Sequence, residues 1–206
     1  NISVLIKLMR SLNLARRIVS DYKPDVVVGV GGYASGPLLR IAGKLGIPLL
    51  IQEQNSYAGI TNKILAKKAS VICVAYEGME KYFPAEKIIK TGNPVRQNFD
   101  NLMDLRKEAF AFFNFTDNIP VILVLGGSQG AGSINHSLSE NLQTVIGSAC
   151  QWIWQTGKYY FEDVNALVSL TSARNIAVHG FINRMDYAYA AADVIISRAG
   201  AGTISE

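Results

Sequence analysis

Short apolar runs rich in β-branched residues alternate with stretches of helical spacing along the whole chain. Residues 26–30, 48–52, 71–75, 88–90, 121–125, 151–154, 176–178 and 194–197 read as strands. Apolar positions three and four apart predict helices over residues 1–20, 37–44, 60–68, 77–82, within 100–114, and over 133–146, 159–169 and 184–191. A strand–helix–strand order of this kind predicts parallel sheets covered by helices on both faces. Ligands of such folds bind outside the carboxyl ends of the strands. The pattern is interrupted once, at 91–100, TGNPVRQNFD. There Gly92 permits a tight bend and Pro94 pushes Asn93 out of helical conformation. Two domains are therefore expected, residues 1–96 and 97–206.

Three strands run into glycine turns. Residues 121–135 read VILVLGGSQGAGSIN, residues 26–37 VVVGVGGYASGP and residues 192–206 ADVIISRAGAGTISE. A glycine turn that opens a helix presents backbone N–H groups at the positive end of the helix dipole, which suits a phosphate or diphosphate. Two familiar nucleotide motifs are absent. Gly126–Gly132 is not GxGxxG, and no acidic residue ends the strand after Trp154. Ser133 stands where the lysine of a phosphate loop would follow Gly132. Tight turning alone also explains a single such loop.

Other candidates are weighed in the same way. Glu53, Gln54, Asn55 and Asn62 cluster after a buried strand, so they either line a cleft or cap the helix that begins near Thr61. Thr203 and Glu206 have capping-box spacing, and spacing by itself favours the cap over a ribose-binding carboxylate. The first helix sets Ile2, Leu5, Leu8, Met9 and Leu12 beside Lys7, Arg10, Arg16 and Arg17. By pattern alone its apolar side faces the core; the other reading is a patch with a basic rim that docks on anionic lipid.

Composition narrows the classes. The chain has 206 residues, 49% hydrophobic and 17% charged, with no apolar run near the ~20 residues of a bilayer span. Its charge of +4 is uneven: residues 1–100 carry 14 Lys/Arg against 7 Asp/Glu, and residues 101–206 carry 6 against 9. The basic first half points to an anionic partner. Nucleic acid ranks last, since no zinc finger, aromatic RNA motif or dense basic run occurs. Cys73 and Cys150 lie far apart and without a CxxC, so they read as reduced thiols in packed surroundings; no metal is expected. The chain opens on Asn1 and stops at Glu206 within an incipient helix, and is read as part of a longer protein.

GVGGYASGP, IQEQNSYAGITNKILAKKA, GNPVR, LVLGGSQGAGSIN, HGFI and SRAGAGTISE follow one another in an order and spacing that resembles a known family over essentially all 206 residues. It is the MurG family, the UDP-N-acetylglucosamine–N-acetylmuramyl-(pentapeptide) pyrophosphoryl-undecaprenol N-acetylglucosamine transferases. The resemblance implies a GT-B fold, two Rossmann-like parallel-sheet domains facing across a cleft, both truncated in this chain. It implies inverting transfer of N-acetylglucosamine from UDP-N-acetylglucosamine to the C4 hydroxyl of lipid I, giving lipid II for peptidoglycan, without a cofactor. Carried over by motif, the donor contacts are Asn55, Arg96, Ser128, Ile182, Ala201, Gly202, Thr203, Ile204, Ser205 and Glu206. Ser128 and the turn amides hold the diphosphate, the Ile182 backbone pairs with uracil, and Glu206 binds the ribose. Gly31, Gly32, Tyr33, Glu53 and Asn62 lie on the acceptor side, and Asn135 is a further polar position of the family. The first helix becomes a membrane-docking patch at the cytoplasmic face of the bacterial plasma membrane. Many relatives have His where Gln52 stands, so no acid–base role is expected at that position. An N-terminal glycine loop with a candidate catalytic His, and a Gln pair after Glu206, are missing. The piece alone is therefore expected to be inactive, with Glu53 a weak candidate for general base.

Two rival functions fit parts of the pattern. A UDP-N-acetylglucosamine 2-epimerase shares the architecture but has no use for a membrane patch. A non-catalytic UDP-sugar-binding subunit would bind donor and release no UDP.

Overall fold

The computed structural model describes residues 2–95 and 101–205. They form two compact units, Asn1–Val95 with Ile204–Glu206 and Arg96–Thr203. Each is built on a four-stranded sheet in which every pairing is parallel.

In the first unit the order is β1 (Val27–Gly29), β2 (Leu49–Glu53), β3 (Val71–Val74), β4 (Ile88–Lys90). The register Ile51↔Ile72 and Ile72↔Ile88 stacks apolar residues across the sheet. Helices α1 (Ile2–Tyr22), α2 (Gly32–Lys44) and α3 (Ile60–Leu65) accompany it. Leu39 and Ala42 of α2, Leu49, Ile51, Ile72, Val74 and Met79 form the core. That core accounts for the β-branched runs, since a parallel strand buried on its faces gains from apolar residues at successive positions.

The second unit has the order β7 (Ile176–His179), β6 (Gln151–Gln155), β5 (Val121–Leu125), β8 (Val194–Ser197). Its helices are α4 (Leu102–Phe113), α5 (Gly132–Glu140), α6 (Leu142–Ile146), α7 (Phe161–Ser169) and α8 (Met185–Ala191), with α9 (Ala201–Ser205) after β8. Successive residues of β5 and β6 serve opposite faces. Leu123, Leu125 and Ile153 join α4 and α8 in one cluster. Val124, Trp152 and Trp154 join α6 and α7 in the other. Asp193 locks this sheet to α4: it accepts from Arg106 Nη2 at 2.9 and 3.1 Å and from the Val121 N–H at 2.8 Å.

Several expectations shift. α2 starts at Gly32, not at Pro37, which lies inside the helix. Its absent N–H would have met the Tyr33 carbonyl, and Tyr33 is exposed. The helix expected over 133–146 is two helices, divided at Asn141, whose side-chain amide takes the Ser137 carbonyl at 2.9 Å. Thr203 is an interior residue of α9, not its N-cap, so the capping-box spacing was misleading. In α1 Val4, Leu5, Ile6, Leu8, Met9, Leu14 and Ile18 are exposed in this chain, and among its described residues Ala15 and Val19 are the ones buried against the rest of the unit. β1 and β8 are the edge strands of this chain's sheets, and there Val28 and Val194–Ile196 are exposed. Cys73 and Cys150 are free thiols, each half-buried.

Candidate functional site

Because all strands in a unit are parallel, the loops that follow them gather at one edge of each sheet, and the candidate residues sit there. In the first unit β1 ends at Gly31 and Gly32, with φ of 87° and 76°. A side chain at either position would be strained in that left-handed region. No side chain caps the start of α2, and Ser35 Oγ turns back instead to the carbonyls of Gly31 and Gly32 at 2.9 and 3.0 Å. The amides at this helix start therefore remain available to an anion.

Next to it, β2 delivers Glu53, only 3% exposed. Its Oε1 accepts the Asn55 backbone N–H at 3.1 Å and Asn55 Nδ2 at 3.2 Å. Its Oε2 accepts the Gly59 N–H and Asn62 Nδ2, both at 2.9 Å. Four donors on one buried carboxylate compensate its desolvation and fold the 54–59 loop around it. Asn62 is 3% exposed and also donates to the Gln52 carbonyl at 3.3 Å. Lys63 braces the same loop from outside, its ammonium 4.1 Å above the Tyr57 ring and 4.4 Å from the Tyr82 ring. The result is a pocket of about 290 Å³ that brings together Gly31, Gly32, Tyr33, Glu53, Asn55 and Asn62. Every acceptor-side residue expected from the sequence lines it.

Sequence reasoning missed what holds this pocket to the far strand. Gln52 Nε2 donates to the Gly92 carbonyl at 3.1 Å, and Asn93 Nδ2 to the Gln54 carbonyl at 3.1 Å. The GNP segment therefore ties the ends of β2 and β4 together. The only signal for it in the sequence was the glycine–proline punctuation itself.

In the second unit β5 ends in the 126–130 turn, with Ser128 and Gln129 exposed at its tip. The Gly126 N–H donates to the Gln155 carbonyl at 3.2 Å and the Gly130 N–H to the Gly127 carbonyl at 3.0 Å. Gly130 (φ 85°) and Gly157 (φ 82°) pack back to back: a methyl on the first would overlap the Thr156 carbonyl, and one on the second the Gly130 amide. α5 follows with no side-chain cap, so its first-turn amides beside the exposed turn suit an anion. Asn135 is a strut, not a ligand group. It is 3% exposed, donates to the Thr156 carbonyl at 2.8 Å, and accepts from Trp154 Nε1 at 2.9 Å.

Ile182 follows β7. Its side chain is buried in the core, while neither its N–H nor its carbonyl has a backbone partner among the described residues. Ala201, Gly202, Thr203, Ile204 and Ser205 make up α9 after β8. Arg96 and Glu206 lie outside the described residues.

Comparison with known proteins accords with this geometry. Residues 1–74 match the glycosyltransferase family 28 N-terminal domain and residues 121–206 the family 28 C-terminal domain. A curated protein of Parabacteroides distasonis, a UDP-N-acetylglucosamine--N-acetylmuramyl-(pentapeptide) pyrophosphoryl-undecaprenol N-acetylglucosamine transferase, is 55% identical over 100% of this chain and 56% of its own length. One of the same name from Bacteroides thetaiotaomicron is 56% identical with the same two coverages. The chain thus spans about half the length of the curated relatives it matches. Among solved structures, Acinetobacter baumannii MurG is 34% identical, with a TM-score of 0.64 over 95% of this chain and 53% of its own. A Neisseria meningitidis UDP-GlcNAc 2-epimerase reaches a TM-score of 0.65 over 94% of this chain and 60% of its own, but at 18% identity it shares the fold alone. Two parallel-sheet units and the two domain matches, over residues 1–74 and 121–206, lead to one assignment: the chain belongs to glycosyltransferase family 28.

Proposed function

We propose that the intact protein carrying these residues is an inverting hexosyltransferase that moves N-acetylglucosamine from UDP-N-acetylglucosamine to the C4 hydroxyl of the N-acetylmuramyl unit of lipid I, giving lipid II. The observation that carries this reading is a glycine-led helix start after a strand-end turn in each unit, α2 from Gly32 and α5 from Gly132, in a chain 55–56% identical to transferases of that name. Each substrate has a diphosphate, and each of these two starts suits one.

In this reading the 126–130 turn, Ser128 and the first amides of α5 take the donor diphosphate. Negative charge grows on the departing UDP in the transition state, and amides fixed in advance stabilise it without reorganising. The free backbone of Ile182 suits the edge of a uracil. Asn55, Arg96 and the 201–206 segment complete the donor contacts, Glu206 with the ribose. Gly31, Gly32, Tyr33 and Asn62 receive the acceptor. Glu53, with both oxygens already accepting, holds the acceptor loop in shape and serves poorly as the base that removes the C4 hydroxyl proton.

No helix among the described residues is long and apolar enough to cross a membrane. The exposed apolar side of α1, flanked by Lys7, Arg10, Arg16 and Arg17, supports peripheral docking on the anionic cytoplasmic face of the plasma membrane.

The test is UDP release by the intact protein from UDP-N-acetylglucosamine, with and without lipid I. Release that depends on lipid I and is weakened in donor affinity by Ser128→Ala supports the transferase. UDP-N-acetylmannosamine formed from donor alone would make it an epimerase, and donor binding without release in either condition a binding subunit.

A further inference from the structure

Beside the acceptor pocket runs a second cavity, of about 430 Å³, between the three helices of the first unit. Its walls are helical stripes: Leu8 and Leu12 one turn apart on α1, Tyr33, Pro37 and Arg40 along α2, and Ile64 with Leu65 on α3. Its volume falls within the ~300–1,000 Å³ of small-ligand sites. The two cavities are neighbours, since Tyr33 and Thr61 line both. They differ in chemistry. The first is framed by Glu53, Asn55, Asn62 and glycine amides, the second by aliphatic side chains, several of which are left in solvent: Leu8 is 47% and Ile64 63% exposed. Arg40 is the cation of the groove, exposed and without an acidic partner among the described residues.

We infer that this groove binds the first isoprene units of the acceptor's polyprenyl chain, next to the pyrophosphate. The inference rests on the transferase reading and adds a subsite to it. In a polyprenyl diphosphate the apolar chain is joined directly to the charged group. A protein that seats the diphosphate at the Gly31–Gly32 helix start must therefore lead the lipid away along a neighbouring surface. The α1–α2–α3 groove is such a surface, it begins at residues of the polar pocket, and Arg40 complements the anionic junction. Apolar side chains that would otherwise stand in water are covered when the chain is seated.

The experiment compares two water-soluble acceptors with the same pyrophosphoryl-N-acetylmuramyl head, one ending in geranyl and one in methyl, without detergent or vesicles. The unmodified intact protein is expected to show a KM about tenfold lower for the geranyl compound, a gain that two buried methylenes already supply. Ile64→Asn, at an exposed position, should cut that advantage below about threefold while kcat and the methyl compound's KM stay within about twofold. Leu14→Asn, exposed on α1 but outside the groove, should keep the full advantage. An advantage that survives Ile64→Asn, that falls equally in Leu14→Asn, or that is missing from the unmodified protein would overturn the subsite. Continued transfer to the methyl acceptor in those cases would leave the transferase reading standing. Transfer to neither acceptor would end both.

Discussion

Replacing Glu53 by Gln separates a structural carboxylate from a catalytic one. The side chain is 3% exposed and accepts four hydrogen bonds, two on each oxygen. Gln keeps one acceptor oxygen. Its NH2 then faces two donors, either Gly59 N–H and Asn62 Nδ2 or the two nitrogens of Asn55. Two charge-assisted bonds are lost, worth about 1.5–3 kcal/mol each, and burial leaves little water to replace them. A destabilisation of about 3 kcal/mol or more is expected, confined to the first unit. The tryptophans make this measurable, because Trp152 and Trp154 both belong to the second unit. In a urea titration, far-UV circular dichroism should show the first unit unfolding at a midpoint lower by about 1–3 M, given a slope of about 1–3 kcal/mol/M. The tryptophan fluorescence transition should not move. An unchanged dichroism midpoint together with lost turnover would refute the strut and make Glu53 the proton acceptor.

Four further substitutions probe the second unit. Gly130→Ala sets a methyl into the Thr156 carbonyl at a left-handed φ and should cost about 3 kcal/mol or more, whereas Gly127→Ala, with open space around it and φ 73°, should cost about 1–2 kcal/mol; tryptophan-detected denaturation compares the two. Asn135→Ala strands the Trp154 N–H and the Thr156 carbonyl, for a loss of about 2–4 kcal/mol and a changed Trp154 emission in the folded state. Burial lowers the pKa of His179 below its usual 6.5, so the folded state resists a proton that the unfolded chain accepts. Its contribution to stability is complete above about pH 6.5 and is lost as pH falls from there through the folded value. His179→Gln should flatten that slope in denaturation curves taken from pH 7.5 to 5, and an unchanged slope would count against it.

The sheets were legible because their strands are buried and parallel, which writes an unbroken apolar run into the sequence: β4, β5 and β8 match the expected spans residue for residue. The glycine turns were legible for a related reason. Gly31 and Gly130 take positive φ where a side chain is strained. What periodicity cannot carry is the identity of the surface a helix faces. The spacing of Leu5, Leu8 and Met9 is the same whether the apolar side meets a core or is left exposed, as it is on α1. Side-chain struts were illegible for the opposite reason. Gln52 meets Gly92 forty positions away, and Trp154 meets Asn135 across nineteen, so neither contact leaves a local pattern. Local spacing even misled at Thr203, where a capping signature lies inside a helix.

The two units divide labour alike, and the division explains why the site was only half visible. At each carboxyl edge the buried polar side chains point inward and hold backbone: Glu53 and Asn62 in one unit, Asn135 in the other. What faces outward includes the main-chain amides at the glycine-led starts of α2 and α5. A diphosphate gripped this way meets fixed partial charges that no titration near neutral pH can remove. Recognition then depends on how rigidly each turn is held, and rigidity is supplied by residues that never touch the ligand. Damage to Glu53, Asn135 or Gly157 should therefore reach binding through the shape of the turn, whereas in the proposed function Ser128, exposed at the tip, acts on the ligand directly.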